Sequence, residues 1–345
     1  MPMNRHKGAP RLKDLAELAG VSIKTVSRVI NRHPDVSEGL RKKILQLAKE
    51  TGYTPHLGAR GLRLNKTFTI GFVFPQITNE FFLEVALSLD NIARENGYSV
   101  IMSSTKETAD SEGEAIKVLV SKRVDGIVIV SVGTTGALLK SVIERHHIPI
   151  VLVGNRVEGL HADAVLQDNM RGARLLTSHL IQHGYKKIAY VTGPRTNSSS
   201  QERFEGFKQA LHESGLEFDA RLLKQTDWTY TGGYTATMEL LRKENSKPTA
   251  IFYANANTAI GALKAMRQLQ LKVPDDVAVV SFENISIMDT VEPPLTTLNK
   301  VGHGLGQLSF KLLHKRMLGN ETAAPHIEKV INAKLCIRKS CGCVK

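Results

Sequence analysis

The stretch RLKDLAELAGVSIKTVSRVINRHPDVSEGLRKKILQLAKETGYTP, residues 11–55, decides the architecture of this 345-residue chain. Its apolar residues recur at helical spacing in three short runs. Leu12, Leu15, Ala16, Leu18 and Ala19 form a stripe on a first helix, which Gly20 ends because glycine readily takes the left-handed backbone that closes a helix. Ser22 caps a second helix, in which Val26, Val29 and Ile30 face inward while Ile23, Lys24, Thr25, Ser27 and Arg28 stay on or near the outer surface. Ser37, with Arg41 after it, starts a third helix that lays Leu40, Ile44, Leu45, Leu47 and Ala48 beneath the other two. The small Ala16, Gly20 at the turn and Val26 in the second helix suit the tight crossing of a helix-turn-helix. Lys24 and Arg28 lie four apart and project from one side, where an arginine can pair with the acceptor edge of guanine in a major groove. The same charges on a solvated basic hairpin would mean nothing for nucleic acid. The helix-turn-helix spacing speaks for the groove.

Charge agrees with that reading. Residues 1–66 hold 14 Lys and Arg against 5 Asp and Glu, so +9 of the formal +13 sits in the first fifth of the chain, where phosphate contacts are needed. The length exceeds a usual single core, and 42% hydrophobic residues supply two or three folded domains. No apolar run reaches the roughly 18 residues that span a bilayer, and the basic start leads into amphipathic helices rather than a signal-peptide core. The expectation is a soluble, cytoplasmic protein without a membrane partner. Cys336, Cys341 and Cys343 are too few and too near one end for a disulfide scaffold. Cys341-Gly-Cys343 could hold a soft metal, but no His or third Cys stands at ligand spacing beside it, so the expectation is a free tail with no metal site and no cofactor.

From Thr67 onward strand-length runs rich in Val and Ile alternate with amphipathic helical stretches. The runs are Thr69–Pro75, Tyr98–Ser104, Gly126–Val132, Ile148–Gly154, Lys187–Gly193, Ala250–Ala254 and Val277–Glu283. Alternation of this kind builds parallel sheets wrapped by helices, here in two βα halves that divide near Asp168. Ligands of such sheets bind beyond the carboxyl ends of the strands, so the cleft between the halves is the expected pocket. The loops there carry Gln76 with Phe81 and Phe82, Ser103 and Ser104, Asn155 and Arg156, Ser199 with Arg203, the lone Trp228, Asn255 and Glu283. Amides, hydroxyls, arginines, an acid and aromatic platforms are what a polyhydroxylated or anionic metabolite needs. A sugar, sugar acid or sugar phosphate has that character.

Enzymatic motifs are weak. Gly302-His303-Gly304-Leu305-Gly306 resembles a dinucleotide loop, yet Gln307 stands where the last glycine belongs and no strand precedes it; it reads as the start of a helix over 303–318. No phosphate-binding Gly-Lys-Ser/Thr loop, nucleophile elbow or His-Glu-x-x-His occurs. A sugar-modifying α/β enzyme with an appended DNA reader, a transport receptor, and a DNA binder that answers only to a partner protein or to nothing are the competing classes.

Over nearly its full length the chain resembles the lactose-repressor (LacI/GalR) family. Four stretches carry the likeness: Leu12-Lys13-Asp14-Leu15-Ala16 with Ala19-Gly20-Val21-Ser22 and Thr25-Val26-Ser27-Arg28-Val29-Ile30-Asn31; Gly52-Tyr53-Thr54-Pro55; Val124-Asp125-Gly126-Ile127; and Val291-Glu292-Pro293-Pro294-Leu295-Thr296-Thr297. The resemblance implies an all-α helix-turn-helix headpiece over 1–55, a hinge helix and linker over 56–66, and an effector-binding and dimerising body over 67–345. The body would comprise two Rossmann-like subdomains of periplasmic-binding-protein type, one of about 67–167 and 299–325, the other of about 168–298 and 326–345. It further implies a non-enzymatic homodimer or tetramer on a palindromic operator, most often a repressor. Ser22, Ile23, Lys24, Thr25, Ser27, Arg28 and Asn31 would contact DNA from the headpiece, with Arg60, Leu62 and Arg63 from the hinge, Leu62 prying open a central base step. Gly58 and Gly61 depart from the pattern, each weakening a hinge helix by roughly 1 kcal/mol relative to alanine, so the hinge is expected to order only on DNA. Phe81, Phe82, Asn155, Arg156, Ser199, Arg203, Trp228, Asn255 and Glu283 would surround the effector. Ala256 and Glu283 stand where aspartates are more usual.

Overall fold

The structure is a computed structural model that describes residues 10–30, 33–53, 66–242, 247–319 and 325–343. Asn31, Arg60, Leu62, Arg63 and the hinge expected over 56–64 lie outside the described residues. Two compact units divide between Thr67 and Phe68.

In the headpiece, α1 (Leu12–Ala19), α2 (Ile23–Ile30) and α3 (Glu38–Thr51) close around Leu15, Ala16, Ala19, Val26, Val29 and Ile44. Gly20 takes the left-handed conformation at φ 71° that turns the chain from α1 into α2. Ser22 caps α2 as expected: its Oγ accepts the Thr25 amide at 3.1 Å and lies 2.9 Å from the Thr25 hydroxyl. Three short helices bury only a narrow stripe, so Leu18 and Leu45, expected inside, face solvent. Lys43 donates to the Ala19 carbonyl at 3.1 Å, and Arg41 to that of His33 at 2.5 Å. These two cations fasten the helix ends.

The body begins with β1 (Thr69–Phe74), α4 (Glu80–Glu95), β2 (Ser99–Ser104), α5 (Ala109–Ser121), β3 (Gly126–Ile129), α6 (Gly136–His146), β4 (Ile150–Val153) and β5 (Asp163–Gln167). It continues with α7 (Asn169–Gln182), β6 (Ile188–Thr192), α8 (Ser198–Glu213), β7 (Leu223–Gln225), α9 (Tyr230–Leu241), β8 (Ala250–Tyr253), α10 (Ala256–Gln268) and β9 (Ala278–Ser281). The chain closes with β10 (Thr297–Leu298), α11 (Gly302–Met317), β11 (Glu328–Ile331) and β12 (Leu335–Cys336). One sheet, ordered β11-β5-β4-β3-β1-β2, and a second, ordered β7-β6-β8-β9, are parallel throughout. Their central strands are buried on both faces, as continuous apolar runs such as IVLV and AIFY require.

Two expectations need correction. The last crossing between subdomains, expected at about residue 326, comes later: Glu328–Ile331 pairs in register with Ala164–Gln167, so the first subdomain keeps the chain through Ile331. Four exposed or half-exposed residues, EKVI, at a sheet edge leave no apolar signature. The C-terminal tail is not free either: Ser340 and Cys341 are buried, and Ser340 bridges the Val279 carbonyl and the Thr296 amide at 2.6 and 2.8 Å. The first subdomain is further bound by a buried bidentate pair, Arg316 on α11 to Asp163 on β5 at 2.8 and 2.9 Å. Among the described residues no helix is long and apolar enough to cross a membrane.

Candidate effector cleft and DNA-facing helix

Loops at the carboxyl ends of both parallel sheets converge on a cavity of about 50 Å³. Of the expected residues, Phe81, Phe82, Asn155, Ser199, Arg203, Trp228, Asn255 and Glu283 line it. Arg156 does not. Its backbone amide meets the Ser198 hydroxyl at 2.7 Å, but its guanidinium swings outward to bridge Glu202 and, at 2.7 and 2.9 Å, Glu328. Sequence reasoning missed Asn79, Glu107, Gln167 and Asn197.

Arg203 anchors the cavity. Projecting from α8, it donates to Asn169 Oδ1 at 2.9 Å and to the Ala254 carbonyl, and its guanidinium carbon lies 3.8 Å from the centre of the Phe282 ring. Glu283 stands 3.6 Å away as its counter-ion, and each side chain is 7% exposed. Burial pushes the Glu283 carboxyl up, opposed by the Arg203 charge, the Ala256 amide at 3.2 Å and the Asn79 side chain. Burial likewise pulls Arg203 down from its ordinary value, against the charge of Glu283. Arginine keeps its proton in proteins, so the guanidinium is a fixed positive charge with Glu283 as its partner.

Glu107 enters from a strained turn after β2, where Lys106 and Glu107 both hold left-handed backbones at φ 51° and 61°. Burial pushes its carboxyl up to about 8, with the charges of Asp227 and Glu283 adding to the effect. At neutral pH it is therefore a hydrogen-bond donor. Gln167 contributes the opposite character, a buried Oε1 with no hydrogen-bond partner among the described residues.

Several amides brace the cleft. Asn155 donates to the Ser131 carbonyl at 3.0 Å and accepts the Ser199 amide at 3.1 Å, linking the two subdomains. Asn79 caps α4 through the Phe81 amide at 3.0 Å and reaches Glu283 from the opposite subdomain. Asn255 caps α10, accepting the Thr258 amide at 3.0 Å, and holds the Trp228 carbonyl at 3.1 Å. Trp228 sits at φ 64° with its ring laid against Gly193, where a Cβ would fall 1.9 Å from the indole. Gln76, expected at the pocket, instead receives Asn257 at 3.4 Å beside it, and Ser104 donates to the Pro75 carbonyl at 3.1 Å.

On the headpiece, Ile23, Lys24 and Arg28 are exposed on one side of α2, while Thr25 and Ser27 are half-buried. Among the described residues neither Lys24 nor Arg28 is held by an ion pair. Exposed cations on the second helix of a helix-turn-helix form a surface fitted to a major groove and its phosphates.

A helix-turn-helix joined to a two-lobed α/β body with a polar cleft defines a transcription regulator controlled by a small molecule. Residues 11–56 match the family of bacterial regulatory proteins of lacI type, and residues 67–336 match the periplasmic binding proteins and sugar-binding domain of the LacI family. Among curated relatives, the HTH-type transcriptional repressor PurR of Vibrio campbellii (strain ATCC BAA-1116) is 34% identical over 316 residues, covering 90% of this chain and 92% of that protein. PurR of Aliivibrio salmonicida (strain LFI1238) is 32% identical over 311 residues, 89% and 92% of the two chains. Among solved structures, the lac repressor dimer bound to operator and the anti-inducer ONPF superposes with a TM-score of 0.85 at 26% identity, covering 97% of this chain and 99% of that one. The transcriptional regulator CelR in complex with cellobiose gives 0.73 at 29% identity, covering 96% and 99%. The chain belongs to the LacI family. It is a DNA-binding transcriptional repressor regulated by a small-molecule effector, and not an enzyme.

Proposed function

We propose that this repressor works in the cytoplasm as a dimer on a palindromic operator and that its effector is a neutral sugar. Ser22, Ile23, Lys24, Thr25, Ser27, Arg28 and Asn31 read or position the half-site, and Arg60, Leu62 and Arg63 engage the minor groove between half-sites. In the body Phe81, Phe82, Ser199, Arg203, Trp228 and Glu283 form the effector's surroundings. Asn155 and Asn255 brace that wall.

One observation carries the choice of a sugar: the unpartnered Gln167 Oε1 needs a hydrogen-bond donor, which a sugar hydroxyl supplies. Charge favours the same class. Among the described lining residues the one cation, Arg203, is already paired with Glu283 at 3.6 Å, and Glu107 offers a proton rather than a cation, which disfavours an anionic group.

A cavity of about 50 Å³ is well below the roughly 300–1,000 Å³ of small-molecule sites, so the effector enters by parting the two subdomains. Occupancy then sets their angle, and operator affinity changes with it. Linkage is reciprocal: an effector that weakens operator binding is itself bound more weakly by the DNA complex, by the same factor.

The test has two stages. Palindromic duplexes are selected from a random library by the purified full chain, and affinity is followed against salt. Neutral sugars, sugar phosphates and heterocyclic bases are then added in turn, with Trp228 emission reporting the cleft. The expected result is a salt-sensitive preference for one palindrome, altered only by a neutral sugar. A response confined to phosphates or bases overturns the sugar reading, and no preference for any palindrome overturns the operator reading.

A further inference from the structure

Far from the cleft, the tail that the sequence leaves without metal-ligating neighbours folds back against α7. Three ligand atoms, from His179, His183 and Cys343, lie within 4.8 Å of one another. His179 and His183 are one helical turn apart at the end of α7, their rings 4.7 Å apart, so both point to the same place. The fourth group is Cys341, whose Sγ is 2.9 Å from that of Cys343; the three cysteines are free thiols, and this spacing is well beyond the roughly 2.05 Å of a disulfide.

We propose that His179, His183, Cys341 and Cys343 form a Zn²⁺ site that clamps the C-terminal tail to α7. Two imidazoles with two thiols make a tetrahedral donor set of the kind that selects zinc over hard cations. His179, His183 and Cys343 already stand near what the ion needs, while Cys341, outside that group of three and reached through Cys343, must swing its Sγ toward them. Zn–S and Zn–N bonds of about 2.3 and 2.1 Å at the tetrahedral angle place sulfur and nitrogen about 3.6 Å apart, and Cys343 Sγ stands 3.6 Å from His179 Nε2. The two sulfurs must open from 2.9 Å to about 3.8 Å, and Gly342 between them, at φ 79°, is the residue type whose backbone most readily adjusts.

The surroundings also fit. The Thr296 hydroxyl donates to Cys341 Sγ at 3.1 Å, a contact of the type that orients a metal-bound thiolate, and Tyr185 holds the Cys341 carbonyl at 3.1 Å. His179 and Cys341 are buried while His183 is exposed and Cys343 half-buried, so the ion has an entry path and two ligands can be changed without opening the core. As each Zn–S bond forms, its thiol gives a proton to solvent, so uptake strengthens as pH rises.

The test uses the untagged full chain, purified in reductant, stripped by a chelator and titrated with Co²⁺ and then Zn²⁺. Expected are the intense ligand-field bands of tetrahedral cobalt with thiolate charge transfer, saturating at one equivalent per chain, displacement by Zn²⁺, and a melting temperature that climbs with free zinc. His183→Ala and Cys343→Ser, both at accessible positions, should keep the fold by circular dichroism. Each should lose more than about 100-fold in zinc affinity, the upper end of what removing a group that merely orients a ligand costs. An octahedral cobalt spectrum, or zinc affinity unchanged in both variants, would overturn the assignment.

Discussion

Gly193→Ala places a single methyl group where the repressor's effector cleft has no room for it. The new Cβ would lie 1.9, 2.1 and 2.4 Å from three atoms of the Trp228 indole, against an ordinary contact of 3.4 Å or more. The ring must therefore retreat by about 1.5 Å. It cannot do so freely, because the Trp228 backbone is left-handed at φ 64° and its carbonyl is held by Asn255 at 3.1 Å. Overpacking of this size destabilises by about 1–3 kcal/mol, which lowers the melting temperature of the body by roughly 2–10 °C.

The ring forms part of the cavity wall, so the displacement reshapes the cleft as well. Trp228 is the chain's only tryptophan, and at 7% exposure its emission reports on this wall alone. The variant should show red-shifted emission, faster quenching by acrylamide and the lowered melting temperature together. Gly39→Ala, in α3 of the headpiece, whose added methyl meets nothing within 4 Å, is the control and should leave emission and quenching unchanged. Unshifted emission with an unchanged melting temperature in Gly193→Ala would refute the packing of Trp228 on Gly193 and the cleft wall built from it.

Three further outcomes follow from the same geometry. Arg203→Ala strands Glu283 without its counter-ion and should destabilise the body by about 3–5 kcal/mol in urea denaturation, with Glu283→Gln recovering part of the loss; strictly additive effects would deny the coupling. Glu107, with its folded-state pKa raised from 4.5 to about 8, binds its proton more tightly in the closed cleft than in the unfolded chain. Thermal stability should therefore be highest at the acid end of that interval for this group and fall as pH rises through it, and Glu107→Gln should remove that slope; a slope of equal size in the variant would assign it elsewhere. Arg28→Ala should weaken operator binding by about 1–3 kcal/mol at one base position per half-site, measured by anisotropy on singly substituted duplexes, whereas an equal loss on every sequence would make Arg28 a phosphate contact.

How much the sequence disclosed depended on how local each cause was. Three helices of the headpiece follow from 3.6-residue periodicity, a glycine stop and a serine cap, all within a few residues of what they control. The strands at 69–74, 126–129 and 278–281 announce themselves because burial on both faces demands unbroken apolar runs. Asp163–Gln167 is hidden because it opens on an aspartate, and that aspartate is tolerated through Arg316 and the Ile327 amide, both far along the chain. Arg156 follows Asn155 at a strand end that leads to the cleft, yet its direction is set by Glu202 and by Glu328, 172 residues later. Glu107 is invisible because nothing in its type signals a left-handed turn. The metal-ligating group is hidden for the same reason: Cys343 and His179, 164 residues apart, meet only through the tertiary fold.

The pairing of β11 with β5 has a consequence for biosynthesis. On the ribosome the headpiece can close as soon as residue 53 is clear, since all its contacts are local. The first subdomain cannot. After Gln167 emerges, the outer edge of β5 stays open while the whole second lobe is translated, until Glu328–Ile331 arrives to zip along it. An unpaired parallel edge is a template for joining another chain. Nascent or truncated products ending before Glu328 should therefore be the aggregation-prone and chaperone-dependent forms of this repressor.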